Sequence, residues 1–347
     1  MSRYLRPHLA AAPPYVPGEQ LTRPVIKLNT NECPYPPSSA VIAAVQEVAP
    51  RLMRYPRPDA DNARRAFAET AGLPENMVFV GNGSDEILRI AFQAYVAPGD
   101  RVAWSTPTYT LYEILANFAE AKIIDVPRAE ADFAVNIRQL GSVGAKLTIL
   151  ATPNSPTGTV TPLDEIETLL SFGGLVLVDE AYADFQGTSA MDLVRRHDNL
   201  IVVRTLSKSY ALAGLRVGFA VASPDLIADF QKLKDSYNVS LLADAGAAAA
   251  LRDVDYAVAL RQKVVSTRSR LEKRLTELGF MVHKSGANFI FAVPPDKNGR
   301  RVYDFLRKEN IIVRWFETDP RISEGIRITV GTDEEIDRLL EVIERHG

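Results

Sequence analysis

From about Met77 onward, short apolar runs alternate with longer stretches in which apolar residues recur at helical spacing. Several runs are rich in Val and Ile and carry apolar residues on both alternate faces, which is typical of strands buried on both sides in a parallel sheet. Helical patterns lie between them, for instance over Asp85–Val96 and Tyr109–Ala119. The alternation predicts an α/β fold whose large domain has a mostly parallel sheet covered by helices on both faces. The predicted strands are Met77–Val80, Val102–Trp104, Lys122–Val126, Leu147–Ala151, Leu175–Val178, Leu200–Val203 and Val217–Val221.

The pattern changes beyond Pro224, where a long helical stretch is predicted from Asp225 to about Leu278, with an interruption near Tyr237–Ser240. Shorter elements follow, and Thr332 with Glu335 fits a capping box that opens the last helix. This part of the chain predicts a smaller α+β domain. Its other predicted elements are strands at Ala287–Val293, Ile311–Trp315 and Ile326–Val330 and a helix at Arg301–Glu309.

The first thirty residues are rich in proline, which fixes φ and removes backbone donors, so they predict an extended arm. We therefore expect a large domain over residues 31–244. The arm, residues 1–30, and residues 245–347 would form the second, smaller unit.

Composition and charge narrow the class of protein. Hydrophobic residues make up 46% of the chain and charged residues 24%, as in ordinary globular proteins. With 40 basic and 43 acidic residues the net charge is −3, which argues against a nucleic acid or a membrane surface as the main partner. A single cysteine, Cys33, excludes an internal disulfide, and no apolar run is long enough for a membrane span. We expect a cytoplasmic protein, and the four scattered histidines do not predict a metal site.

Three polar residues follow predicted buried strands: Asn154, Asp179 and Lys208. In open α/β sheets, ligands bind beyond the carboxyl ends of the strands, so these side chains are expected to face one crevice. Desolvation and neighbouring cations lower the pKa of a lysine, as an amine nucleophile requires. Taken singly, each has an ordinary explanation: a surface lysine, a helix cap or ion pair at Asp179, and a plain turn at Asn154.

Other motifs suit a phosphorylated, flat ligand. Thr205, Ser207 and Arg216 offer two hydroxyls and a guanidinium fork for a phosphate dianion. The segment Gly81-Asn-Gly-Ser-Asp85 opens a helix and lets backbone amides approach an anion, although it matches neither a dinucleotide fingerprint nor a phosphate loop. Tyr109 could stack on a flat ring. Asp179 could keep a pyridine nitrogen protonated, which makes such a ring a better electron sink.

Together these motifs resemble the fold-type I aminotransferases that depend on pyridoxal 5'-phosphate. Their order along residues 80–218 carries the resemblance: Gly-Asn-Gly-Ser-Asp, Pro-Thr-Tyr, Pro-Asn-Ser-Pro-Thr-Gly, Asp-Glu-Ala-Tyr and Thr-Leu-Ser-Lys. Both ends of the chain are similar to the histidinol-phosphate aminotransferases within that group. Cys33 and Ser155 depart from the usual pattern of these enzymes. The segments that carry this second resemblance are Leu28–Pro37, Arg54-Tyr-Pro56, Ala211–Phe219, Ile312-Val-Arg314 and Gly325–Thr332.

The resemblance implies a role for each matching residue. Lys208 would hold the cofactor as a Schiff base and move the proton between the substrate and the cofactor, and Asp179 would pair with the pyridine nitrogen. Asn154 and Tyr182 would contact the ring hydroxyl, and Tyr109 would stack on the ring. The implied phosphate ligands are Ser84, Asp85 (through backbone amides), Thr205, Ser207 and Arg216.

The resemblance also implies a homodimer, in which Tyr55 reaches the cofactor phosphate of the partner subunit. Tyr15, Arg314 and Arg327 would bind the phosphate or carboxylate of the substrate. An arginine-lined anion site suits both histidinol phosphate and 2-oxoglutarate.

The leading interpretation is therefore amino transfer between L-histidinol phosphate and 2-oxoglutarate in histidine biosynthesis. Three alternatives stay open at this point. The substrate could be an aromatic amino acid, the reaction could be decarboxylation of threonine phosphate, or the chain could be a dimeric scaffold or regulator without catalysis. The intact set of Lys208, Asp179, Asn154 and Arg216 speaks against the last.

Overall fold

The computed structural model describes residues 2–9, 18–21 and 23–346 of the chain. Helices and strands alternate as the apolar pattern predicts. The strands are β1 (Ile26–Lys27), β2 (Val78–Gly81), β3 (Arg101–Trp104), β4 (Lys122–Asp125), β5 (Leu147–Ala151), β6 (Leu175–Asp179), β7 (Leu200–Thr205), β8 (Gly218–Ala222), β9 (Met281–His283), β10 (Phe289–Val293), β11 (Ile311–Ile312), β12 (Arg314–Trp315) and β13 (Ile326–Thr329). The α-helices are α1 (Ser39–Val48), α2 (Asp61–Ala71), α3 (Ser84–Tyr95), α4 (Leu111–Phe118), α5 (Ile137–Ser142), α6 (Leu163–Leu170), α7 (Pro224–Leu233), α8 (Leu241–Arg252), α9 (Val254–Glu277), α10 (Gly299–Lys308) and α11 (Asp333–His346).

The main sheet has seven strands in the order β2-β8-β7-β6-β5-β3-β4. Neighbouring strands from β4 to β7 are parallel, and β8 runs antiparallel to both β7 and β2. Each of the seven predicted strands is present, and the predicted fold class is confirmed: a large, mostly parallel sheet between layers of helices.

The alternate residues of the central strands enter two separate cores. Val202 of β7 packs in one core with α1, α2, α6 and α8, whereas Val203 packs in the other with α3, α4 and α7. Every residue of β7 is buried. The sheet is therefore covered on both faces, which explains why its central strands carry apolar residues on both faces rather than only at every second position.

A second, antiparallel sheet has the order β12-β13-β10-β9 and packs with α9, α10 and α11 around its own core. The last helix begins at the predicted capping box. The Thr332 N–H donates to Glu335 Oε2 (2.8 Å), and the Glu335 N–H donates to Thr332 Oγ1 (3.2 Å). The end of the arm joins this unit, because β1 pairs in parallel with β11 and Leu28 is buried in the same core.

Two predicted elements differ from the structure. The interruption predicted near Tyr237–Ser240 is present, because Lys234 adopts an extended backbone and Ser240 caps α8 by accepting from the Ala243 N–H, but a second break, at Asp253 between α8 and α9, was not predicted. The residue chosen as the domain boundary, 245, lies inside α8. The predicted strand Ile311–Trp315 is split into β11 and β12, since the first half pairs with β1 and the second with β13. Within the described part of the chain, none of the helices combines the length and apolar character needed to cross a membrane.

Candidate active site

The site lies at the carboxyl ends of three adjacent parallel strands. In the register of β5, β6 and β7, Asp179 is level with Ala151 on one side and Val203 on the other. Asn154 lies in the loop after β5, and Lys208 lies in the loop after β7. The topology thus brings the three polar residues to the same edge of the sheet, as predicted from the strand pattern.

Asp179 is a buried carboxylate with two donors. Its Oδ2 accepts from the Tyr112 hydroxyl at 2.7 Å, and its Oδ1 accepts from the Ala181 N–H at 3.1 Å. Burial raises the pKa of Asp179, while these two hydrogen bonds and the positive charge of Lys208 lower it and the charge of Asp85 raises it. A buried carboxylate of this kind favours a cationic partner in the crevice.

Asn154 is fully buried and makes contacts through both ends of its amide. Its Oδ1 accepts from the Thr108 hydroxyl at 2.7 Å, and its Nδ2 donates to Pro107 O at 3.0 Å and to Thr157 Oγ1 at 2.8 Å. Asn154 therefore ties the loop after β3 to the loop after β5. A contact from Nδ2 to a ring hydroxyl, as the resemblance implies, requires one of these two hydrogen bonds to be shared.

Lys208 is half-buried and faces the N-terminal arm. Its Nζ donates to Thr30 O at 3.3 Å and lies 5.8 Å from the centre of the Tyr182 ring. The Tyr182 ring packs edge-on against Phe289 with a centroid distance of 5.1 Å. The Tyr182 hydroxyl accepts from Asn31 Nδ2 at 2.9 Å, so the last residue of the arm, Thr30, and the residue that follows it both reach the site.

The implied phosphate ligands surround the start of α3. Arg216 has φ +56° and places Nη2 3.1 Å from Asp85 Oδ2 and Nη1 3.4 Å from Ser207 Oγ. The Thr205 hydroxyl donates to Ser207 Oγ at 3.0 Å. These hydroxyls and the guanidinium form one cluster beside the helix N-terminus, where the amides of the first turn have no partner within the helix. Ser84 is the first residue of that helix.

Glycine is required at two positions of this cluster because the chains approach so closely. A Cβ on Gly83 would stand 2.5 Å from the Arg216 guanidinium, and Gly83 itself has φ +79°. A Cβ on Gly218 would stand 2.6 Å from the backbone nitrogen of Ser84. Any larger residue at either place would push the guanidinium or the helix start out of position.

Tyr109 contacts the same cluster. Its hydroxyl donates to Asp85 Oδ1 at 3.3 Å, and its ring meets the Tyr112 ring edge-on at a centroid distance of 5.6 Å. The carboxylate of Asp85 thus lies between the Arg216 guanidinium and the Tyr109 hydroxyl, in addition to the backbone role that the resemblance implies for this residue.

The two predicted substrate arginines face each other across β12 and β13, where Arg314 is the register partner of Arg327. Like charges directly opposite one another destabilise a sheet unless an anion lies between or beside them. Arg327 donates to Ser155 Oγ at 2.9 Å and to Asn29 O at 2.7 Å. The guanidinium carbons of Arg314 and Arg327 lie 5.5 and 5.6 Å from the centre of the Phe316 ring.

Two predicted residues are not placed in this cluster. Tyr55 is 81% exposed and stacks on Tyr237 with a centroid distance of 4.6 Å, so its side chain points to solvent in the single chain. Tyr15 lies outside the described residues.

Three residues of the site were not predicted: Tyr112, Thr108 and Asn31. Tyr112 follows Tyr109 by three residues, a spacing that puts two helical side chains on one face and could have indicated a shared contact. Asn31 lies in the motif Leu28–Pro37, whose resemblance was noted without a role. Its partners Tyr182 and Thr329 are 151 and 298 residues away in sequence, which local patterns do not reveal.

Comparison with known proteins agrees with this geometry. Residues 23–343 match the family described as aminotransferase class I and II. A histidinol-phosphate aminotransferase of Nostoc sp. is 43% identical over 99% of this chain and 98% of its own length. One from Microcystis aeruginosa is 45% identical over 96% of this chain and 95% of its own length.

Among solved structures, the histidinol-phosphate aminotransferase of Sinorhizobium meliloti in complex with pyridoxal-5'-phosphate has a TM-score of 0.91 and 25% identity. The match covers 100% of this chain and 99% of that chain. The family match covers most of the chain, and it includes the segment in which Asn154, Asp179 and Lys208 lie at one edge of the sheet. The chain belongs to the class I and II aminotransferase family.

Proposed function

We propose that this chain is a pyridoxal 5'-phosphate-dependent aminotransferase that moves an amino group between L-histidinol phosphate and 2-oxoglutarate, a step of histidine biosynthesis. The observation that carries the proposal is the meeting of Lys208, the buried carboxylate of Asp179 and the Arg216 cluster at one edge of the sheet. The named relatives, similar over nearly their whole length, support the choice of substrate.

The residues present fit this cofactor at each of its functional groups. The Arg216 guanidinium, the Thr205 and Ser207 hydroxyls and the first amides of α3, at Ser84 and Asp85, suit a phosphate dianion. Asp179, buried and accepting two hydrogen bonds, suits a protonated pyridine nitrogen. When bound, the cofactor supplies an electron sink for the electrons of the bond broken at the substrate Cα.

The chain's own residues would then orient the reactants and move the proton. The Lys208 Nζ would take the proton from the substrate Cα and deliver it to the cofactor carbon, a transfer that general acid–base catalysis by a lysine allows. Tyr182 and Asn154 would bind the ring hydroxyl, and Tyr109 would stack on the cofactor ring. Asp179, as a carboxylate, would pair with the pyridine nitrogen and favour its protonated form.

The substrate's anionic group would be bound by Arg314, Arg327 and Tyr15. Arg327 is held by Ser155 and by the carbonyl of Asn29, which presents its guanidinium fork in one orientation. The donor fork of a guanidinium matches the oxygens of a phosphate and those of a carboxylate, so one site can bind both histidinol phosphate and 2-oxoglutarate.

A homodimer is part of the proposal. Tyr55 belongs to a group of exposed apolar side chains that a partner subunit would cover. In the dimer, Tyr55 would extend to the cofactor phosphate of the partner subunit. The group consists of Leu52 (57% exposed), Met53 (78%), Tyr55 (81%) and Tyr237 (45%). We also propose that residues 31–244 form the cofactor-binding domain, that residues 1–30 and 245–347 form the arm and small domain, and that the enzyme is cytoplasmic.

Borohydride reduction of the cofactor-loaded protein, followed by peptide mapping, tests the attachment site. We expect the label on Lys208 alone. Lys208→Ala should abolish turnover and leave the mass of the dimer unchanged, whereas Lys232→Ala, at a lysine with a 72% exposed side chain, should retain both activity and label. An unlabelled Lys208 in loaded protein would refute the central claim.

The substrate is tested by comparing kcat/KM for histidinol phosphate, phenylalanine and threonine phosphate under one set of conditions, with product analysis for each. We expect histidinol phosphate to be preferred, with 2-oxoglutarate as amino acceptor. A preference for phenylalanine would assign the chain to aromatic amino acids, and release of carbon dioxide from threonine phosphate would assign it to decarboxylation. Binding of cofactor without turnover of any of the three would favour a regulator.

A further inference from the structure

A three-residue segment at the junction of the arm and the large domain, Asn29–Asn31, contacts three side chains of the proposed site. The Asn29 carbonyl accepts from Arg327, the Thr30 carbonyl accepts from Lys208 at 3.3 Å, and the Asn31 side chain donates to the Tyr182 hydroxyl at 2.9 Å. Two of these contacts use backbone carbonyls, which any residue would provide. The contact of Asn31 with Tyr182 depends on the side chain itself.

The hydrogen bonds around Asn31 have a single consistent direction. The backbone N–H of Asn31 donates to Thr329 Oγ1 at 3.0 Å, so the Thr329 hydroxyl is left to donate, which it does to Asn31 Oδ1 at 3.0 Å. This orients the amide, with Oδ1 toward Thr329 and Nδ2 toward Tyr182. Both Asn31 and Thr329 are 2% exposed, so water does not compete for these groups.

The consequence falls on the Tyr182 hydroxyl. Because its oxygen accepts from Asn31 Nδ2, its proton is directed away from Asn31. The Tyr182 ring lies beside Lys208, with Nζ 5.8 Å from its centre. The outward proton of Tyr182 is therefore available to a ring oxygen of the cofactor, and accepting a hydrogen bond makes a hydroxyl a stronger donor.

We propose that Asn31, oriented by Thr329, is a positioning residue that directs the Tyr182 proton at the ring oxygen of the cofactor. The inference rests on the proposed function, since it assumes that the cofactor is attached at Lys208. Asn31 has φ +54°, a left-handed conformation that asparagine tolerates better than most residues. Both its backbone and its amide therefore suit the position.

The readout is the pKa of the Lys208 nitrogen in the cofactor-loaded enzyme, measured by titrating the visible absorbance with pH. A donor aimed at the ring oxygen stabilises the negative charge that remains there when the nitrogen loses its proton, and so lowers that pKa. The other charges that act on this nitrogen, on Asp179 and Glu32, are unchanged in the variants below. Losing one hydrogen bond should raise the pKa by about 0.5 to 1 unit.

Three single variants, and Asn31→Gly combined with Tyr182→Phe and compared with Tyr182→Phe alone, test this series of contacts. Asn31→Gly removes the amide and still accepts the positive φ, and Thr329→Val removes the hydroxyl that orients the amide; both should raise the pKa of the Lys208 nitrogen. Thr329→Ser restores the hydroxyl and should titrate close to the wild type. In the Tyr182→Phe background, Asn31→Gly should add no further shift. We also expect kcat to fall in Asn31→Gly while KM changes little, because the residue does not touch the substrate.

The outcomes are distinguishable. The inference would be overturned if Asn31→Gly titrated like the wild type. It would also be overturned if Asn31→Gly shifted the pKa of the Lys208 nitrogen equally in the wild-type and Tyr182→Phe backgrounds. Either result would leave the proposed function intact. If Asn31→Gly does not fold, Thr329→Val against Thr329→Ser decides by the same criterion. A wild-type protein that carries no cofactor on Lys208 would overturn the proposed function and this inference with it.

Discussion

Replacing Tyr112 by Phe removes one hydrogen bond from the centre of the site and little else. The Tyr112 side chain is fully buried on α4, and its hydroxyl donates to Asp179 Oδ2 at 2.7 Å. Its ring packs against Trp104 and Tyr109, contacts that phenylalanine keeps. Burial raises the pKa of Tyr112 well above its ordinary value, so the hydroxyl remains a neutral donor at every pH where the protein is studied.

A hydrogen bond to a charged group contributes about 1.5–3 kcal/mol. We expect Tyr112→Phe to lower the free energy of unfolding of the cofactor-free protein by about that amount near neutral pH. The sign of the pH dependence follows from the state of Asp179. The hydroxyl stabilises the ionised carboxylate, so its contribution is present where Asp179 is ionised in the folded protein and is lost as the pH falls through the pKa of the folded state.

The pKa of Asp179 is already raised by burial, and removal of the Tyr112 hydroxyl should raise it further. The destabilisation by Tyr112→Phe should therefore shrink on acidification. Urea unfolding at neutral and acidic pH measures it. Tyr256→Phe is the matched control, because the Tyr256 hydroxyl donates to the uncharged carbonyl of Pro36 at 2.6 Å and its loss should cost the same at both pH values. Equal destabilisation by Tyr112→Phe at both pH values would refute the reasoning.

Four further variants probe single contacts. Arg204→Met leaves the carboxylate of Glu180 buried without its cation, and should lower the free energy of unfolding, measured in urea, by about 3–5 kcal/mol. Burial raises the pKa of Glu180 and Arg204 lowers it, so this destabilisation should become smaller as the pH falls. Arg216→Met should weaken cofactor binding about tenfold to hundredfold in a fluorescence titration of the cofactor-free protein. Arg327→Lys loses the guanidinium fork and should raise KM for both histidinol phosphate and 2-oxoglutarate in steady-state assays. Thr332→Ala removes the helix cap and should cost about 1 kcal/mol in thermal unfolding without changing kcat.

The large sheet could be predicted because its strands obey a simple rule. A strand buried on both faces carries apolar residues on both, and Leu200–Val203, the apolar and fully buried part of β7, meets that condition. The break between α7 and α8 was predicted near Tyr237–Ser240, but the residues at which the two helices end and begin were not. What ends α7 is the extended backbone of Lys234, and what starts α8 is the hydroxyl of Ser240. The backbone conformation at such helix ends depends on packing with other elements as much as on the propensities of the residues themselves.

The phosphate cluster was predicted only in part. Thr205, Ser207 and Arg216 lie within twelve residues of one another and follow a strand, so their proximity could be inferred from the chain alone. The bridge from Arg216 to Asp85 joins residues 131 apart in sequence and depends on β2 and β8 being neighbours at the sheet edge. No single segment of the sequence determines the order of the strands in a sheet, so the contact between Arg216 and Asp85 was not predicted.

The residues that sequence reasoning found and those that it missed differ in one physical respect. Lys208 and Asp179 attracted notice because a charged group at the end of a buried strand is costly unless it has a partner, and here the expected partner is a ligand. Tyr112 and Thr329 have their polar atoms satisfied by other protein groups, so nothing in their surroundings conflicts with an ordinary buried role. In the proposed function their effect on the chemistry is indirect, since Tyr112 holds Asp179, and Thr329 orients Asn31, which in turn directs the Tyr182 hydroxyl. It follows that the supporting residues of a site can be identified only once the partners of each polar atom are known from the structure.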